Sequence, residues 1–225
     1  MPMPLRWLFR LMDKATLADK SYRFLFEPGP PDEVVSIDCE TTGLDRKRDE
    51  IISVAAIKIR GDRILASEAF NVVVRPRCAI NAEAIKIHGL READVANARP
   101  ICEILPDLLR FIGGRPLVGY YIDFDIAMLD NHVLEQIGVQ LPNPRIEVSG
   151  LYYDRKYGDA PPGTQIDLTF ANILKDLKLP LFNQHDAFAD ALMTAMIYLG
   201  LKDFTERGIR IARPRHKGVG EFHGG

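Results

Sequence analysis

The chain has 225 residues, of which 47% are hydrophobic and 27% charged, the balance of a globular domain that buries roughly 70% of its unfolded surface without disulfides or a structural metal. Three scattered cysteines (Cys39, Cys78, Cys102) exclude a disulfide framework or a zinc cage, and no apolar run reaches the roughly 18 residues that a membrane-spanning helix requires. The net charge of −2 is unevenly spread: residues 1–26 and 205–225 each carry +3, leaving −8 between them, which suits a body that concentrates carboxylates for cations better than one with a broad basic face.

Arg6 and Arg10 interrupt the opening apolar stretch, so no signal-peptide core is expected and a reducing, cytoplasmic setting fits. Residues 5–18 have Leu5, Leu8, Phe9 and Met12 at helical spacing. With Tyr22–Phe26 and the Pro28-Gly29-Pro30-Pro31 break, residues 1–31 read as an N-terminal helical appendage or linker. Residues 32–205 form the main domain, opening with strands over Val34–Cys39, Ile51–Ile59 and Ile64–Val74; Arg60-Gly61-Asp62-Arg63 is a hairpin signal. Helices follow at 81–86 and Glu103–Phe111, then a buried strand Leu117–Tyr121 and a helix Phe124–Ile137 stopped by Gly138. Residues 146–158 read as a strand and then a short helix, and Leu168–Leu177 and Ala187–Phe204 as helices. Residues 206–225 are basic, Gly-rich and expected to be flexible. Strands first, then strands alternating with helices, give a mixed sheet covered by helices.

Three segments carry chemistry. In Ser36-Ile37-Asp38-Cys39-Glu40-Thr41-Thr42-Gly43, Asp38 and Glu40 are two apart on a strand and project from one face. Neighbouring carboxylates repel unless a cation lies between them, and hard divalent ions favour such oxygen ligands; a strand end exposing two solvated acids is the plain alternative. In Leu117-Val118-Gly119-Tyr120-Tyr121-Ile122-Asp123-Phe124-Asp125 a buried strand runs into a helix that begins with acids, which an ordinary helix cap would also explain. In Gln184-His185-Asp186-Ala187-Phe188-Ala189-Asp190, Asp186 caps a helix, and alanines around Asp190 place that acid in an apolar setting, where an unpaired carboxylate is costly.

Taken together, Asp38-x-Glu40-Thr41-Thr42-Gly43-Leu44, Phe124-Asp125, and His185 with Asp190 five residues on resemble the DEDDh 3′–5′ exonucleases, a group that includes the proofreading epsilon subunit of bacterial DNA polymerase III. Ile87-His88-Gly89-Leu90 and Pro100 are similar to that family's segment between its first and second motifs. The resemblance covers about residues 32–205 and implies an RNase H-like three-layer α/β fold, a mixed sheet of about five strands flanked by helices. The family pattern His-Asn-Ala-x-Phe-Asp falls on Tyr120–Asp125, so the second-motif acid is Asp125, with Asp123 expected as a helix cap; the departure at Tyr120 and Tyr121 leaves the substrate contacts there open.

The chemistry implied is phosphodiester hydrolysis with two divalent ions, Mg²⁺ or Mn²⁺. By resemblance Asp38 bridges both ions, Glu40 and Asp190 help complete one, and Asp125 acts chiefly through water in the outer sphere. His185 is the general base toward the attacking water, and imidazole suits that task because its ordinary pKa is about 6.5. Leu44 is the apolar wedge against the terminal bases, backbone groups near Thr41 and Thr42 hold the 3′-hydroxyl, and His88 lines the terminal-nucleotide pocket or holds its loop. Phe70, Trp7 and Tyr152-Tyr153 read as packing residues. The expected partner is the 3′ end of nucleic acid, single-stranded DNA favoured, with RNA 3′ ends the alternative. A polymerase-associated binding subunit is the alternative of a different class, with Trp7, Leu8 and Phe9 as its candidate docking arm.

Overall fold

The computed structural model describes residues 12–213. Residues 12–16 are helical; Leu5, Trp7, Leu8 and Phe9 of the expected N-terminal helix lie outside the described residues, as does the tail from residue 214. A 3₁₀ helix spans Lys20–Phe26, and the Asp19 carboxylate caps it by accepting the Ser21 N–H at 2.8 Å. Leu17, Tyr22, Leu25 and Phe26 are buried in the larger of the hydrophobic clusters, so this segment packs into the body. Gly114 makes that docking possible: a Cβ there would lie 1.7 Å from the Glu27 carbonyl oxygen.

The sheet is nucleated by a long hairpin. β1 (Glu33–Thr41) and β2 (Ile51–Arg60) pair antiparallel from Glu33↔Arg60 to Glu40↔Ser53, and the register shifts at Glu40/Thr41. After the Gly61-Asp62 turn the expected third strand is broken in two, which corrects the continuous reading of Ile64–Val74. β3 is only Arg63–Ile64; Ala66–Glu68, with the weakly β-forming Ser67 and Glu68, turns as a 3₁₀ helix; and β4 (Phe70–Val73) pairs with the first half of β2. β5 (Leu117–Gly119) joins β1 in parallel, and β6 (Arg145–Glu147) joins β5 in parallel. The order is β3-β2-β1-β5-β6, with β4 also on β2: the mixed α/β sheet expected from the pattern of elements.

Helices α1 (Ala82–His88), α2 (Glu92–Val95), α3 (Ile101–Ile112) and α4 (Ile122–Ile137) follow the hairpin, and α5 (Val148–Lys156), α6 (Phe170–Asp176) and α7 (Ala187–Glu206) complete the chain. Two faces of β1 feed two layers. Val35, Ile37 and Cys39 enter the cluster built with α3 and α4, whose α3 stripe is Ile101, Ile104, Leu105, Leu108, Leu109 and Ile112. The opposite face of β1 and β2 packs on α7, where the small Ala187 and Ala191 meet Ala55 and Ile57. This close approach lets the Ser36 hydroxyl donate to the Ala191 carbonyl at 2.8 Å. Asp38 and Glu40 share the strand parity of Ser36, so the same approach aims them at the first turn of α7.

At the other end of β1, buried Glu33 accepts from Arg60 at 2.5 Å and Arg115 at 2.6 Å. Burial pushes this carboxyl up, but the two arginines outweigh it and hold it below the ordinary range. Phe70 packs on Phe111 and Tyr152 is fully buried, as expected for packing residues, whereas Tyr153 is partly exposed. Residues 207–213, expected in the tail, lie on the body: Ile211 is buried in a cluster with Tyr152, Tyr157 and Leu201, its N–H bonds the Arg155 carbonyl, and Arg213 pairs with Asp159. Among the described residues no helix is long and apolar enough to cross a membrane.

Candidate active site

A cleft of about 680 Å³ opens at the carboxyl ends of β1, β5 and β6, the position where open α/β sheets take ligands. Each strand end supplies a wall: Asp38, Glu40 and the following Leu44 from β1, Tyr120 to Asp125 after β5, and Glu147 with Ser149 after β6. The loop before α7 and the helix's first turn close it with His185 and Asp190.

The acids converge across the fold. Asp38, Glu40 and Asp190 each place a carboxylate oxygen within 4.8 Å of the others. Asp125, buried at 5% exposure, stands beside them and accepts the Cys39 N–H at 3.0 Å, which ties α4 to the carboxyl end of β1. No lysine or arginine forms an ion pair with any of these four among the described residues, and Asp190 Oδ1 is buried without a hydrogen-bond partner. Burial is the largest cause that raises each of them, and neighbouring acids add to it. Asp38 is lifted well above the ordinary range, with Asp125, Glu40 and Asp190 adding to the burial. Glu40 rises to about 7, with Asp190 and Asp186 adding to burial. Asp125 rises to about 8 despite the opposing Cys39 N–H, and Asp190 rises against the His185 N–H. Carboxylates held together without a counter-charge, one with an orphaned oxygen, fit a divalent cation.

His185 lies on the exposed loop before α7 in a left-handed conformation, φ 64°. Its backbone N–H donates to Asp190 Oδ2 at 2.8 Å, while Asp186 caps α7 by accepting the Ala189 N–H at 2.9 Å. One hydrogen bond therefore joins the imidazole's backbone to a carboxylate of the cluster. Asp123 is corrected from its expected role. Tyr121, not Asp123, is the N-cap residue of α4, and Asp123, at the exposed edge of the cleft, pairs with Arg145 at 2.9 Å. The start of α4 is held instead by Glu147, which accepts the Ile122 N–H at 3.0 Å and the Ser149 N–H and hydroxyl at 3.0 and 2.7 Å. In the sequence, Glu147 has no signal beyond an acid at a strand-to-helix junction ahead of a serine.

Leu44 is 80% exposed at the cleft. It is presented by a tight turn in which Thr41 Oγ1 donates to the Gly43 carbonyl and Thr42 Oγ1 donates to Asp49. A side chain at Gly43 would collide with that carboxylate, its Cβ 2.5 Å from Asp49 Oδ2. Thr41, Thr42 and His88 do not line the cleft itself. His88 Nδ1 accepts the Leu90 N–H at 3.1 Å and its Nε2 is buried without a partner. Burial lowers the His88 pKa and nearby His185 adds to this, with the Thr41 backbone opposing.

The model of a family described as "Exonuclease" matches residues 35–198. A PolC-type DNA polymerase III of Thermotoga maritima is 29% identical over 73% of this chain, which spans 11% of that relative. The DNA polymerase III epsilon subunit of Aquifex aeolicus is also 29% identical, over 73% of this chain and 78% of its own. The chain thus spans about a ninth of the PolC-type relatives and most of the epsilon relative. Among solved structures, exonuclease X in complex with 5′-overhanging duplex DNA superposes with a TM-score of 0.60 at 23% identity, covering 77% of this chain and 93% of that one. At that identity the likeness is one of fold.

Proposed function

The chain belongs to the exonuclease family whose model spans residues 35–198, and from that membership we propose that it is a metal-dependent 3′–5′ exonuclease acting on single-stranded DNA ends and releasing nucleoside monophosphates. The observation that carries this reading is the convergence of Asp38, Glu40 and Asp190 on one uncompensated point at the cleft floor, with Asp125 beside them. Two divalent ions held there would supply electrostatic stabilisation of the attacking and leaving oxygens of an in-line displacement at phosphorus. Asp38, Glu40 and Asp190 would hold them, with Asp125 as an outer carboxylate.

The protein's own residues do the rest. His185 accepts the proton of the attacking water, and its exposed loop gives the imidazole room to approach the phosphate. Asp190 fixes where that loop begins through the His185 N–H, so base and cation ligand move as one unit. Glu147 holds the N-terminus of α4 and with it Asp125. Leu44 reaches from the opposite wall to wedge against the terminal bases.

The test is a degradation ladder on matched 3′- and 5′-labelled single-stranded DNA and RNA with Mn²⁺, Mg²⁺ or EDTA. The expected result is metal-dependent shortening from the 3′ end, faster on DNA; faster shortening of RNA would reassign the substrate. The resemblance to a named epsilon subunit favours a second reading, a proofreading subunit bound to a polymerase. Co-elution with a replicative polymerase, together with activity that rises on binding, would distinguish it.

A further inference from the structure

Four aromatic side chains line the cleft: Tyr120, Tyr121, Phe124 and Phe170. Only Tyr121 is exposed, at 64%. Its backbone sits in the left-handed region, φ 55° and ψ 35°, as the N-cap residue of α4. A bulky side chain is disfavoured there, and glycine or asparagine holds that conformation at less cost. The ring does not repay the strain by capping, because it makes no capping hydrogen bond, and Glu147 bonds the helix start instead. Strain kept at a cleft points to a use for the side chain.

The ring is held from one side and open on the other. Its centroid is 4.5 Å from that of Tyr120, which lies 4.9 Å from that of Phe170. Tyr120 is itself anchored by its hydroxyl on the Leu168 carbonyl at 3.0 Å. An exposed ring propped in this way loses little freedom when something flat settles on it. The cleft floor offers carboxylates suited to cations and, through them, to phosphate; the cleft's arginine, Arg46, lies over Phe124 at 5.6 Å rather than over Tyr121. In a nucleic acid strand whose phosphate is drawn to that floor, the flat group left to meet the exposed ring is the base.

We propose that Tyr121 is a stacking platform for a nucleobase beside the scissile linkage, and that it sets how tightly an unpaired end is held. The inference rests on the exonuclease reading above and extends it to a specificity-determining residue. Steady-state kinetics of the full chain with Mn²⁺ test it, on single-stranded DNA oligonucleotides that are intact or carry one abasic site at successive positions from the 3′ end. Tyr121→Asn, which suits the left-handed backbone, is expected to raise KM roughly 5- to 150-fold, one base–aromatic stack, with a much smaller change in kcat. Tyr121→Phe restores the wild-type KM. An abasic site at one near-terminal position raises the wild-type KM by a similar factor and adds nothing in Tyr121→Asn. A wild-type KM in Tyr121→Asn, or an equal abasic penalty in both proteins, overturns the proposal. A flat wild-type response across the abasic series overturns it without any variant. If the wild-type chain shortens no strand with any metal, the exonuclease reading fails first and the stacking proposal falls with it.

Discussion

The carboxylate cluster makes metal binding and pH inseparable, and the linkage can be worked out for one residue. Burial and its acidic neighbours raise Glu40 from the ordinary 4.5 to about 7, a penalty on its charged form of ~3 kcal/mol at 1.36 kcal/mol per pH unit. Because the folded-state pKa lies above the unfolded one, the penalty is absent below the ordinary carboxylate range, grows as pH rises, and is complete above about 7. A divalent cation bound by the cluster would replace the proton as counter-charge and remove the penalty. The metal-induced rise in Tm should therefore be small at about pH 5 and large at about pH 8. For a domain of this size ~3 kcal/mol corresponds to roughly 6–12 °C. The assay is thermal unfolding followed by circular dichroism, with Mn²⁺ or Mg²⁺ against EDTA across that pH range. An unchanged Tm at pH 8, or a larger rise at pH 5 than at pH 8, would refute the reasoning.

Three further outcomes follow from the same geometry. His185→Ala should keep the metal-induced Tm rise but lose at least about 100-fold in kcat, the low end for a general base; a smaller loss removes His185 from the mechanism. Asp125→Asn should abolish most activity and Asp123→Asn should change it far less, because Asp123 is exposed and already paired with Arg145 whereas Asp125 is buried beside the cluster; full activity in Asp125→Asn would overturn the assignment. Leu25→Ala should cost ~2–5 kcal/mol in urea unfolding, as a fully buried leucine does; a cost near zero would mean that the segment before β1 is not part of the core.

Where local rules decide the outcome, the sequence was readable. A two-residue period fixes Asp38 and Glu40 on one face of β1, and it holds because the alternate face, Val35, Ile37 and Cys39, is committed to the core. The α3 stripe and the Gly113 and Gly138 stops are equally local. What the sequence did not disclose depends on distant partners. Tyr121 takes the N-cap position because Glu147, 25 residues beyond Ile122, bonds the Ile122 N–H. The strand expected over Ile64–Val74 breaks because β2 pairs with β3 along its last residues and with β4 along its first half, with a turn between. The docking of Leu25 and Phe26 relies on the backbone approach at Gly114, which no periodicity records.

The central claim is that water attacks phosphorus at the last 3′ linkage of a strand in this acidic cleft. The most direct test is a single-turnover reaction in ¹⁸O-enriched water with Mn²⁺, with the released product analysed by mass spectrometry. The account predicts a nucleoside 5′-monophosphate carrying one ¹⁸O on its phosphate, a shortened strand ending in an unlabelled 3′-hydroxyl, and no product from Asp38→Asn. Release of unlabelled monophosphate, a remaining strand ending in 3′-phosphate, or undiminished release by Asp38→Asn would contradict it.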